Sequence, residues 1–194
     1  MLPVALLMME HRLIERMIAV LKTELEVMTS TNKPNLVLVD SIVDFIRTYA
    51  DRTHHGKEEE ILFRALEGRK LSPDHRKAMD ELVSEHLFAR NETKALAESK
   101  ERHLQGDIGA LSEMTMHMER MIRFYPSHIQ KEDEGFFIPV IAYFTAREQE
   151  AMLDDFANFD RQMIHEKYEK VARRFEYERS LPGARAKLDW IGHQ

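Results

Sequence analysis

Two similar stretches of this 194-residue chain each place a histidine and a glutamate four residues apart. The first stretch is His54-His55-Gly56-Lys57-Glu58-Glu59-Glu60-Ile61-Leu62-Phe63. The second is His128-Ile129-Gln130-Lys131-Glu132-Asp133-Glu134-Gly135-Phe136-Phe137. Aligned on their first histidines, they share Lys at the fourth place, Glu at the fifth and seventh, and Phe at the tenth. On an α-helix, residues i and i+4 sit one above the other on one face. Each stretch therefore offers an imidazole and a carboxylate to a single point, and two packed helices doing so can build a metal pocket. The chain has no cysteine, which removes disulfides, thiolate zinc sites, iron–sulfur ligation and thiol catalysis. Any metal here takes nitrogen and oxygen ligands, and no residue is assigned a catalytic role.

These residues need long helices to carry them. Only seven Gly and six Pro punctuate the chain, which favours helices over a turn-rich β fold. Apolar residues stepping at 3 and 4 mark a first helix from Pro3 to near Met28 and a second from near Asn35 to Leu66. Gly56 inside the second costs about 1 kcal/mol against Ala, and marks either a close backbone approach or a weak spot. Ser72 caps and Pro73 opens a third helix that fades near His103. Asp107 caps a fourth, which Pro126 and Pro139 should each kink or break. Thr145-Ala146-Arg147-Glu148 is a capping box opening a further helix with Met152, Phe156, Phe159, Met163, Tyr168 and Phe175. The expected fold is all-α: an antiparallel up-and-down four-helix bundle over residues 1–144, an additional C-terminal helix over 145–179 lying outside it, and an irregular tail over 180–194. The Met and Phe stripes read as core.

The rise of a helix tests whether the candidate ligands meet. By the rise per residue, His11 lies about 10 Å into the first helix and His86 about 20 Å into the third. His54 with Glu58, and His128 with Glu132, lie about 10–18 Å from the ends of the second and fourth. All four helices thus bring His11, His54, Glu58, His86, His128 and Glu132 to one layer. Four imidazoles and two carboxylates are too many for one zinc ion with its usual four ligands. They suit two first-row ions, iron above all, with bridging carboxylates and an open position. A bridging oxo or hydroxo group would help balance the charge.

With these motifs in place, the sequence resembles the hemerythrin-like (HHE cation-binding) domain family over roughly Val4 to Phe144. The resemblance rests on Glu10-His11-Arg12 with Ile14-Glu15, on His54 through Glu59 with Leu62-Phe63, on Ser84-Glu85-His86 with Arg90, and on His128 through Glu132 with Phe136-Phe137. It implies a four-helix bundle holding a non-haem di-iron centre with the six ligands above. His55-Glu59 is a competing frame in the second helix. The frame His54-Glu58 is preferred because it aligns with His128-Glu132, leaving His55 as a neighbour and Glu59 and Glu60 mostly solvated. The oxygen-carrying members offer two histidines, four apart, from the third helix. Here Arg90 follows His86 at that step and Leu82 precedes it, so one iron is expected to lack a nitrogen ligand.

The function expected is a di-iron protein that binds, senses or reacts with O2, NO or peroxide. The alternative is an enzyme of peroxide or NO detoxification or iron–sulfur repair, the last weakened by the absence of cysteine. Tyr49 and Tyr125 fall near the site as core tyrosines or as donors to a bound oxygen species. Glu15 reads as a surface or supporting carboxylate and His165 as a surface histidine or a second-site candidate; His75, His103, His117 and His193 are unassigned. A net charge of −6 argues against a general nucleic-acid binder. Leu2 to Met9 lacks the features of a signal peptide, and no apolar run approaches the roughly 20 residues that span a bilayer. A cytoplasmic protein with no membrane partner is expected, with a homodimer or protein contact through the C-terminal helix.

Overall fold

The computed structural model describes residues 2–160 and 164–180. Among these there are six helices and no strand. Helix α1 is Pro3–Thr31, with proline at its first position, where the missing N–H has no partner to lose. Helix α2 covers residues 36–67, opened by the Asn35 side chain accepting from the Leu38 amide at 3.1 Å. Helix α3 is Pro73–Leu104, where the Ser72 hydroxyl accepts from the His75 amide. Helix α4 covers residues 110–141 and runs through Pro126 and Pro139. Of the kink or break expected at Pro139, the break is therefore not there. Instead, residues 131–136 form wide turns closed five residues on rather than four. They end just before Pro139, which has no N–H to offer the Gly135 carbonyl.

The C-terminal region is described as two stretches, α5 at Ala146–Asp160 and α6 at Ile164–Ser180. The capping box at Thr145 and Glu148 forms in both directions, at 2.8 and 3.3 Å. The Met163 position and the tail after Ser180 lie outside the described residues. Helix α6 does more than cover the bundle. Its Tyr168, Ala172 and Phe175 join a core cluster with Leu13, Phe45 and Tyr49, and Arg16 of α1 grips Glu169 and Glu176 at 2.7–2.9 Å.

The core divides in two. One apolar cluster takes Val4 and Leu7 of α1, Leu62 to Leu66 of α2, Met79 and Leu82 of α3, and Phe136 to Ile141 of α4. The other takes Leu13 to Met28, Leu38 to Ala50, Ala89 to Leu96, and Met114 to Ile129. The starts of α1 and α3 thus meet the ends of α2 and α4, which is the antiparallel up-and-down arrangement. Met114, Met118 and Met121 are fully buried core residues. Between the two clusters, each of α1 to α4 switches from apolar to titratable side chains.

Candidate metal centre

That middle layer holds His11, His54, His55, Glu58, His86, His128 and Glu132, all buried. A buried charge is costly unless paired, so a layer of this composition needs a reason. The donor atoms fall into two groups, each with its atoms within 4.8 Å of one another: His55, His86 and His128 in one, and His11, His54, Glu58 and Glu132 in the other. The two glutamates connect the groups. One oxygen of Glu58 lies 3.3 Å from His54 Nε2 and the other 3.3 Å from His86 Nε2. One oxygen of Glu132 lies 3.1 Å from His11 Nε2, and the other 3.5 Å from Nε2 of both His86 and His128. All four of these carboxylate oxygens, and Nε2 of His86 and His128, lack a hydrogen-bond partner among the described residues. His54 and His11 bring their Nε2 atoms to 2.9 Å, and buried nitrogen and oxygen donors gathered this closely are a set suited to first-row metal cations.

The six residues expected from spacing therefore all reach the layer, and His55 joins them. The group expected to be one nitrogen short thus has the His55 imidazole beside it. His55 stacks on His86 with ring centroids 3.9 Å apart and stands in the group that Arg90 leaves short. The reason is local geometry. In an α-helix, neighbours point about 100° apart, so His54 and His55 should not share a pocket. Residues 46–55 and 58–63 instead form turns closed five residues on. A wider turn holds more residues, so each step rotates less and both imidazoles face inward. Of the two frames, His54 and His55 both face the layer, together with Glu58.

Glu59 is also corrected: it is not simply solvated, but accepts from His86 Nδ1 at 2.7 Å. It belongs to a ring running around the bundle. Glu10 of α1 accepts from His54 Nδ1 of α2, Glu59 of α2 from His86 of α3, Glu85 of α3 from His128 of α4, and Asp133 of α4 from His11 of α1, all at 2.7–2.8 Å. Each carboxylate also binds a cation from the helix whose histidine it holds: Lys57, Arg90, Lys131 and Arg12 respectively. Arg90 is thus explained as the clamp on Glu59, and the lysines shared by the two repeated stretches as the same device. Such carboxylates fix the tautomer, leaving the Nε2 lone pair facing the centre.

The electrostatics agree. Burial alone would lift Glu10, Glu59 and Glu85, but their histidine and cation partners hold all three below the usual carboxylate range. Burial and the neighbouring His86, His54 and His128 push His55 well down, so it stays neutral and able to ligate. Aromatic rings wall the layer: Phe137 stacks on His11, Phe63 on His86 and Phe124 on His128.

Gly56 is the close approach. A Cβ there would lie 2.8 Å from Cζ of Phe159 in α5. Glu15 is on the surface beside Arg12. His165 reaches inward, with Nδ1 2.9 Å from the Tyr49 hydroxyl. Tyr125 is buried, its hydroxyl without a partner among the described residues, and lines a cavity of about 260 Å³ with Asp51 and Arg90. The supporting residues Glu10, Lys57, Glu85 and Asp133 carried one signal in the sequence. Each carboxylate adjoins a candidate ligand, although the histidine it holds belongs to another helix. No described helix is long and apolar enough to cross a membrane.

A protein-family model described as the hemerythrin HHE cation binding domain matches residues 2–138. No curated protein and no solved structure matches the chain.

Proposed function

We propose a function from the premise that this chain belongs to the hemerythrin HHE cation-binding domain family. The protein holds two iron ions and uses them to bind, sense or react with a small oxidant: O2, NO or peroxide. The observation that carries this reading is the pair of buried glutamates, each spanning the two histidine groups with both oxygens unpartnered. His55, His86 and His128 would hold one ion, His11 and His54 the other, and Glu58 and Glu132 both. When bound, the iron supplies exchangeable coordination and one-electron redox chemistry. With both glutamates shared, the ion held by two histidines would have one protein donor fewer than the other.

The chain's own residues select for a small ligand. Phe63, Phe124 and Phe137 keep water from the layer. The cavity is lined by Asp51 and Arg90, which stand between it and the layer, 3.5 Å from His55 and 2.7 Å from Glu59 respectively. The Tyr125 hydroxyl on that cavity is free to donate to a small polar guest. The test begins with metal analysis of the purified protein, expected to give two irons per chain. A value well under one, unchanged in His54→Ala and His128→Ala, refutes the reading. Anaerobic ferrous protein is then exposed to O2 while the visible spectrum is followed. A long-lived band that reverses under vacuum supports binding or sensing. Immediate irreversible oxidation with turnover of added peroxide supports the enzymatic alternative.

A further inference from the structure

Tyr49 is buried on α2, and its hydroxyl lies 2.9 Å from Nδ1 of His165 on α6. The other ring nitrogen, Nε2, lies 2.9 Å from Oδ2 of Asp160 at the end of α5. A carboxylate only accepts, so Nε2 carries the proton and donates to Asp160. Nδ1 then presents a lone pair, and the phenol donates to it. This phenol–imidazole–carboxylate series runs to the metal layer through one residue. Glu10 lies 3.7 Å from His165 Nε2 by one oxygen, and by the other accepts from His54 Nδ1 at 2.8 Å. Lys57, with no exposed surface, donates to both Glu10 and Asp160. Glu10, Asp160 and His165 are close enough to suggest a third ion, but the Lys57 ammonium already sits against both carboxylates.

A buried phenol gives up an electron readily only if its proton leaves with it to a base in hydrogen-bond contact. Burial and the carboxylates of Glu10 and Asp160 keep Tyr49 from ionising on its own. His165 is the base in place. Beyond it, the Tyr168 ring lies 6.1 Å from Tyr49, and its hydroxyl donates to the exposed carboxylate of Asp44.

We propose that Tyr49 is a one-electron donor to the metal centre, with His165 as its proton acceptor and Asp160 as the residue that positions His165. The proposal rests on the iron reading above. With hydrogen peroxide as oxidant, Tyr49 supplies one electron and a ferrous ion the other. The peroxide O–O bond breaks to give two hydroxide ions. The phenolic O–H bond breaks, its proton passes to Nδ1 of His165, and a tyrosyl radical remains beside an imidazolium facing Asp160 and Glu10.

The test uses the full chain loaded anaerobically with ferrous iron, its iron content measured first. The sample is mixed with hydrogen peroxide, frozen at a series of times and read by electron paramagnetic resonance. A tyrosyl signal is expected, absent in Tyr49→Phe at unchanged iron content. His165→Ala should slow its formation by about a hundredfold, the scale of a well-placed proton acceptor, and added imidazole should restore it. Iron well under one per chain refutes the iron reading and this proposal with it. Full iron with no tyrosyl signal, or the same signal in Tyr49→Phe, overturns this proposal alone.

Discussion

Replacing His55 by alanine separates the ligand set of the folded centre from the set that spacing alone suggests. His55 is buried, stacks on His86 at 3.9 Å, and is one of three histidines in its group. Metal-free His55→Ala should lose about 2–5 kcal/mol as a large-to-small core change, so the informative quantity is the gain on loading within each variant. At a free metal concentration of about 100 Kd, one site adds about 2.7 kcal/mol and two add about 5.4 kcal/mol. For a chain of this size, about 2–4 °C per kcal/mol makes the loading shift about 11–22 °C for the native protein and about half that for His55→Ala. Anaerobic calorimetry with and without ferrous iron, alongside iron analysis, measures both. The expected outcome is a fall from two irons to one. Two irons held with an undiminished thermal shift would refute the assignment of His55 and leave it a bystander of the His54-Glu58 pair.

Two further outcomes follow from the same geometry. In the metal-free protein, burial opposes charge on His54 and His86, yet Glu58 and Glu10 raise the first to about 10, and Glu132 and Glu59 raise the second to about 9. Their contribution to stability is fully present below the ordinary histidine value of 6.5 and lost as pH rises through 9–10. Since a ligating nitrogen must shed its proton, ferrous affinity should climb over that range, and loading at neutral pH should acidify a weakly buffered solution. No proton release on loading would count against these histidines as ligands. Separately, Gly56→Leu should cost about 1–3 kcal/mol through collision with Phe159, seen as a lower urea midpoint at unchanged slope. Much of that loss should disappear in a Phe159→Ala background, and equal cost in both backgrounds would remove Phe159 as the cause.

The helical pattern was legible in the sequence because it depends on local rules. Pro3, Asn35, Ser72 and Thr145 start helices through groups within a few residues of themselves, and apolar steps of 3 and 4 mark the faces that met in two core clusters. The layer was legible too, since the rise per residue is constant, and it brought His11, His54, Glu58, His86, His128 and Glu132 together. Of the kink or break expected at Pro139, the break does not occur, because the helix widens its turns instead of ending.

What the sequence by itself determined is the chemistry of the donors and the depth at which they meet: no thiol, imidazoles and carboxylates on four helices, one layer. Tertiary structure alone decided which nitrogens face that layer and what holds them there. The inward turn of His55 depends on wide turns that an assumed 100° step cannot show. Each Nδ1 is held by a carboxylate from the next helix, a pairing between residues 27 to 122 positions apart that local spacing does not encode. Asp160 and His165 reach Lys57 and Tyr49 only because α5 and α6 fold back over α1 and α2. Adjacent residues marked the parts, and only the packing of helices against one another chose their partners.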